Sequence, residues 1–153
     1  MPTYTCTAGE GLLDRQQKNS IADAITKAHS EITGAPSYFA QVIFQEVPEG
    51  DHFIGGRALE HDQVFVYGRI RAGRSAVDRS TLIRRITDEV SNLAKLPTFS
   101  VWVYLLELPA AAMVEFGHVL PEPGNEPDWN DELPSKDRER MEAILTLGNA
   151  TYT

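Results

Sequence analysis

The second residue of this chain is a proline, and its position at the very start gives it a chemistry that an internal proline lacks. Pro2 is small enough for an initiator methionine to be cleaved from it, which would leave a secondary amine as the first group of the chain. An α-amino group titrates at about 7.7–8.0; burial or a neighbouring arginine lowers that value, and a nearby carboxylate holds the amine cationic. Such a nitrogen is a general base when neutral and a general acid when protonated. Met-Pro starts also occur without any role, so Pro2 needs companions. Arg69, Arg71, Arg74, Arg79, Arg84 and Arg85, six of the ten arginines, fall within 17 residues. Arg79, Arg84 and Arg85 fit the solvated face of a helix. Arg71 and Arg74 precede that helix, with Gly73 between them. They fit either a surface turn or a pair of guanidinium forks around a carboxylate, near a helix N-terminus whose dipole favours an anion.

Other chemistries find no support. His29, His52, His61 and His118 include no pair at helical i, i+4 spacing, and Cys6 alone cannot build a thiolate zinc site. GRIRAGR has neither phosphate-binding glycine spacing, and no G-x-S-x-G elbow occurs. Neither a metal nor a cofactor is therefore expected. The net charge of −8 opposes nucleic acid and anionic membrane surfaces as partners. No apolar run approaches the ~20 residues of a membrane span, and MPTYTC lacks the basic and apolar regions of a signal peptide. One cysteine precludes an internal disulfide, which points to a reducing cytoplasm. With 153 residues, 42% of them hydrophobic, the chain suits a single domain with a real core.

The elements that must position Pro2 and the arginines emerge from a duplication. Displaced by 61 residues, Ile21–Pro48 aligns with Leu82–Pro109 without a gap, and seven of the 28 pairs are identical. They include Ser30/Ser91, Pro36/Pro97 and Pro48/Pro109, so punctuation repeats along with apolar positions. In each unit a β-rich run (Thr3–Ala8, Val64–Ile70) leads into helical spacing. Ile21, Ile25, Ala28 and Ile32 carry the first helix, Asp14 to Ile32; Leu82, Ile86, Val90 and Leu93 carry the second, Ser75 to Ala94. Asp14 and Ser75 suit N-caps, and Gly34 suits a left-handed stop. Phe39–Glu46 and Ser100–Leu106 then read as buried strands. Two β-α-β units, about 2–48 and 63–109, predict an α/β (α+β) fold: a four-stranded sheet with two helices on one face. The opposite, uncovered face predicts oligomerisation. Pro121, Pro123, Gly124 and Pro127 mark a loop, and Ser135–Leu147 reads as a helix, followed by a tail, within a segment 134–153 of the same domain 1–133.

The start PTYTC, the duplication, and the segments GRIRAGRSA, VWVYLLELP and MVEFGHVLPEPG together resemble the tautomerase superfamily, and within it the cis-3-chloroacrylic acid dehalogenases, from Pro2 to about Leu133. The resemblance implies a cofactor-independent enzyme, a homotrimer and a small carboxylate substrate. It makes Pro2, Glu115 and Tyr104 catalytic, and assigns carboxylate binding to Arg71, Arg74 and His29. Phe116 departs from it, following Glu115 where the family has tyrosine. Taken residue by residue, His29 also fits a core-edge histidine with one hydrogen bond, Tyr104 a packed tyrosine and Glu115 a solvated carboxylate. Two enzymatic outcomes are implied: water addition to cis-3-haloacrylates, giving malonate semialdehyde and halide, or keto–enol tautomerisation of phenylpyruvate or another 2-oxo acid. A non-enzymatic binding protein that retains Met1, and so has only an amide at Pro2, is the third reading.

Overall fold

Alternation of period two builds the first strand, β1 (Thr3–Gly9): Tyr4, Cys6 and Ala8 are buried, while Thr3, Thr5 and Thr7 take the other face. The computed structural model describes residues 2–147; Met1 and the tail 148–153 expected after the last helix lie outside them. Helix α1 (Arg15–Thr33) starts at Asp14, whose carboxylate accepts from the Gln17 N–H while the Gln17 side chain accepts from the Asp14 N–H. It ends at Gly34 in the left-handed conformation, φ 73°. Strand β2 (Gln41–Val47) returns parallel to β1. A hairpin of β3 (Phe53–Ile54) and β4 (Arg57–Ala58) follows. The second unit repeats the plan with β5 (Val64–Arg71), α2 (Ala76–Ala94), β6 (Val101–Leu108) and the hairpin β7 (Val114–Glu115) and β8 (His118–Val119). Helices α3 (Glu126–Glu132) and α4 (Ser135–Leu147) complete the described chain.

The sheet order is β2-β1-β5-β6, with β1 and β5 antiparallel and each outer strand parallel to its inner neighbour. Both helices cover one face, and Ile21, Ile25, Leu82, Ile86 and Val90 close the core over Tyr4, Cys6, Val64 and Val66. At about 25 cal/mol per Å² of apolar surface removed from water, this layer is the principal stabilising contribution. Ile43, Trp102, Tyr104 and Leu106 stay 41–53% exposed on the uncovered face. The four-stranded, two-helix layer is thus as the duplication predicts, and the repeat reaches further than Pro109. The two hairpins also lie 61 residues apart, with Gly55 and Phe116 both at positive φ (61° and 53°).

Several boundaries differ from the sequence reading. Ser37–Phe39 and Thr98–Ser100 are single 3₁₀ turns after Pro36 and Pro97, so the second strands begin later, at Gln41 and Val101. Phe39 turns away from the sheet to join Leu120, Leu133 and Met141 in a smaller core. Helix α2 stops at Lys95 with φ 58°, a left-handed residue that is not glycine. Pro127 sits in the first turn of α3, where a missing N–H costs nothing, instead of in a loop.

Candidate active site

Residue parity aims Pro2 and Tyr4 at the helices from the start of β1. Pro2 is buried, and its carbonyl accepts from the Gln41 N–H at 2.9 Å, which ties the chain start to β2. Two residues on, the Tyr4 Oη lies 2.8 Å from Nδ1 of His29 on α1. Gly68 makes room for the Tyr4 ring: a Cβ there would fall 2.6 Å from Cε1 of that ring.

Burial first, and the Arg74 charge second, push the His29 pKa down to about 3, so the imidazole is neutral at physiological pH. Burial likewise holds the Tyr4 phenol well above its usual value, and it stays protonated. With the phenol donating to Nδ1, the ring's proton sits on Nε2. The opposite tautomer would strand both the phenolic hydrogen and the Nε2 lone pair. His29 is 2% exposed and its Nε2 has no partner, so it presents one unspent N–H donor.

Arg71 ends β5 and is 1% exposed. Its Nη1 donates to the Pro121 carbonyl at 2.6 Å, and its Nη2 donates to the Glu126 carboxylate; Nε is buried without a partner. Three residues later Arg74 reaches across to α1, donating to the Thr33 carbonyl at 2.8 Å. Burial first and the Arg71 charge second lower the Arg74 pKa, against the opposing pull of Glu126, Asp78 and Glu107. Arg74 also depresses His29, which joins all three cationic or donor groups in one cluster. Of the three buried side-chain polar atoms without partners among the described residues, two belong to this cluster.

Glu115 lies on the β7–β8 hairpin, in the wall of a cavity of about 750 Å³ that also borders Thr3, Gln41, Tyr38, Met113 and Phe116. The cavity therefore opens beside the chain start. The hairpin is pinned from behind: His118 Nε2 lies 3.0 Å from Asp137 of α4, and Trp129 of α3 donates to the Val119 carbonyl at 2.8 Å. Tyr104 does not join this group within one chain. It sits on β6 with β5 between it and β1, 53% exposed on the uncovered face, edge-on to Phe65 at 5.0 Å. There it lines a separate cavity of about 370 Å³ with Trp102 and Gln63.

The sequence reading missed Tyr4, the Pro121 carbonyl and Glu126. A signal for Tyr4 exists in the repeat. Strand register makes Val66 the second unit's counterpart of Tyr4, since they pair with the equivalent valines Val103 and Val42, and Val90 is the counterpart of His29 in the repeat. A polar pair in one unit thus replaces two valines in the other, and polar groups persist in a core only when they are bonded. A Tyr4→Phe variant is expected to lose the fixed tautomer. Long-range ¹H–¹⁵N spectra should show His29 moving from pure Nε2–H toward a mixture, with a stability loss of about 1–3 kcal/mol for the unpaired buried nitrogen.

Comparisons with known proteins identify the family and the fold. A family model described as "Putative oxalocrotonate tautomerase enzyme" matches residues 1–130. The crystal structure of N1, described as a member of the cis-3-chloroacrylic acid dehalogenase family, superimposes with a TM-score of 0.89 at 36% identity, covering 92% of this chain and 99% of that one. A fused 4-OT solved as an asymmetric trimer shares the fold at a TM-score of 0.71 and 20% identity, over 76% of this chain and 94% of that one. A curated "Probable tautomerase" of Bacillus cereus is 36% identical over 59 residues, which is 39% of this chain and 95% of that protein.

Proposed function

Because this chain belongs to the oxalocrotonate tautomerase family matched over residues 1–130, we propose that it is a cofactor-independent enzyme that adds water to cis-3-haloacrylates through an amino-terminal proline. The observation that supports the reading is the pair of buried donors without a partner: His29 Nε2–H, whose other nitrogen meets Tyr4 of β1, and Arg71 Nε–H, at the end of the strand paired with β1. Unspent N–H donors and guanidinium charge in a buried place are what a carboxylate requires.

In this reading Arg71, Arg74 and His29 hold the substrate carboxylate and draw electron density from the β-carbon. Glu115 takes a proton from water as the oxygen attacks that carbon, and protonated Pro2 delivers a proton to the α-carbon. The halohydrin collapses to malonate semialdehyde, halide and a proton. Tyr104 orients the water. Since β5 separates Tyr104 from the chain start, it acts from a second copy, and its exposure on the uncovered sheet face supports an assembly closed across that face. A homotrimer is the arrangement proposed, in line with the trimer of the fused 4-OT of the same fold.

A second reading uses the same groups without Tyr104. Keto–enol tautomerisation of phenylpyruvate or another 2-oxo acid needs only a neutral Pro2 to carry the proton and the arginines to bind the carboxylate. The test uses protein of verified intact mass lacking Met1, with the Pro2 nitrogen titrated by NMR. A cationic amine at neutral pH together with halide release from cis-3-chloroacrylate is the expected result. A neutral amine with phenylpyruvate turnover alone selects the second reading. Mature protein that retains Met1 removes both.

A further inference from the structure

We infer that Glu126 sets the charge of the anion seat, and that it selects monocarboxylates over dicarboxylates. The inference rests on the carboxylate seat proposed above and names its substrate class.

The charges around the seat can be followed one by one. Arg71 and Arg74 contribute a guanidinium each. Glu126 contacts Arg71 directly. Burial pushes the Glu126 carboxyl upward, and the hydrogen bonds from Arg71 and the backbone more than reverse it, so it is ionised at neutral pH. Arg79 is spent on Glu107 at 3.1 Å and on the Arg74 carbonyl. His29 is neutral. In the hydration reading the Pro2 cation and the Glu115 anion offset each other. Asp78 in the first turn of α2 also acts on Arg74, so the seat as built holds no excess positive charge. A dianion therefore adds one more negative charge than a monocarboxylate does, in a place where water screens poorly, and Glu126 is the seat's one carboxylate in contact with Arg71.

Glu126 is also built into position. Its second oxygen accepts from the Gly124 N–H at 2.7 Å. The strap that carries it lies flat on the arginine turn: a Cβ at Gly73 would stand 2.6 Å from Cγ of Pro123. Pro121 and Glu126 together occupy Nη1 and Nη2 of Arg71, which leaves the buried, unpartnered Nε–H as the donor a carboxylate would take. Glu126 therefore modulates the charge of that edge without sitting on it. Nothing in the duplicated units supplies this carboxylate; it comes from the first turn of α3.

The test compares two four-carbon cis acids, (Z)-2-butenoate and maleate, by calorimetric titration at a pH where both maleate carboxyls are ionised. The wild type is expected to favour butenoate. Glu126→Gln should move the ratio of the two Kd values toward maleate by at least about tenfold. Glu132→Gln, on an exposed residue at the end of the same helix, should leave the ratio in place. A second comparison needs no buried guanidinium. Arg71→Met/Glu126→Gln should lie more than about twofold nearer maleate than Arg71→Met alone, a smaller shift than in the wild-type background because the unpaired carboxylate turns partly to water. A shift below about twofold in both comparisons, or an equal shift in Glu132→Gln, overturns the assignment to Glu126. Failure of both acids to bind the wild type overturns the carboxylate seat itself, and the inference with it.

Discussion

Glu115→Gln is expected to reduce halide release from cis-3-chloroacrylate by roughly two to four orders of magnitude, the range of a lost general base. Glu115 is the carboxylate in the wall of the cavity that opens beside the chain start, and it is half-buried. Its hairpin is held from behind through His118 and Val119, and the melting temperature, measured on the same preparation, separates lost chemistry from lost fold. The isosteric amide keeps the shape and removes only the ability to take a proton from water. Phenylpyruvate tautomerisation uses Pro2 for its proton and should fall by less than about tenfold in the same variant. Halide release measured beside tautomerisation on one preparation checks both halves. Full hydration activity in Glu115→Gln would remove that residue from the mechanism.

The second large effect is an asymmetry in stability across the Arg71–Glu126 pair. Removing one partner of a buried ion pair costs about 3–5 kcal/mol when the charge left behind is buried. Arg71 is 1% exposed and the Glu126 side chain 37% exposed. Glu126→Ala should therefore cost about 3–5 kcal/mol, because it strands the guanidinium, while Arg71→Met should cost less, about 1–3 kcal/mol, because the stranded carboxylate can turn to water. Urea unfolding of the two variants measures the difference directly. Equal losses would mean that the pair is worth no more than its hydrogen bonds.

Much of the fold was legible because two periodicities and one repeat carry it. Alternation marks Tyr4, Cys6 and Ala8 as one face of a strand, and helical spacing marks Ile21, Ile25 and Ala28; a local rule suffices for each. Asp14, Ser75 and Gly34 cap the helices as their side chains and backbone freedom dictate. The errors fall where local rules compete with distant packing. Phe39 is a good strand former by type, yet it joins the small core with Leu133 and Met141, whose sequence distance hides them. Lys95 takes a left-handed turn that its own propensity disfavours.

By itself the sequence determined the four sheet strands, the two packing helices and the last helix, the two-unit plan, the uncovered apolar face and the residue types available for a carboxylate-binding, proline-based chemistry; the two hairpins and α3 it did not. What it determined follows from backbone preference and hydrophobic pattern, which act over a few residues. Only the tertiary structure decided which donors stay unspent. Tyr4 consumes Nδ1 of His29, Pro121 and Glu126 consume two nitrogens of Arg71, and β5 keeps Tyr104 away from the chain start. The 25 residues between Tyr4 and His29, and the 55 between Arg71 and Glu126, are closed by the fold alone. A hydrogen bond satisfies a group according to distance in space, and no spacing along the chain encodes that distance.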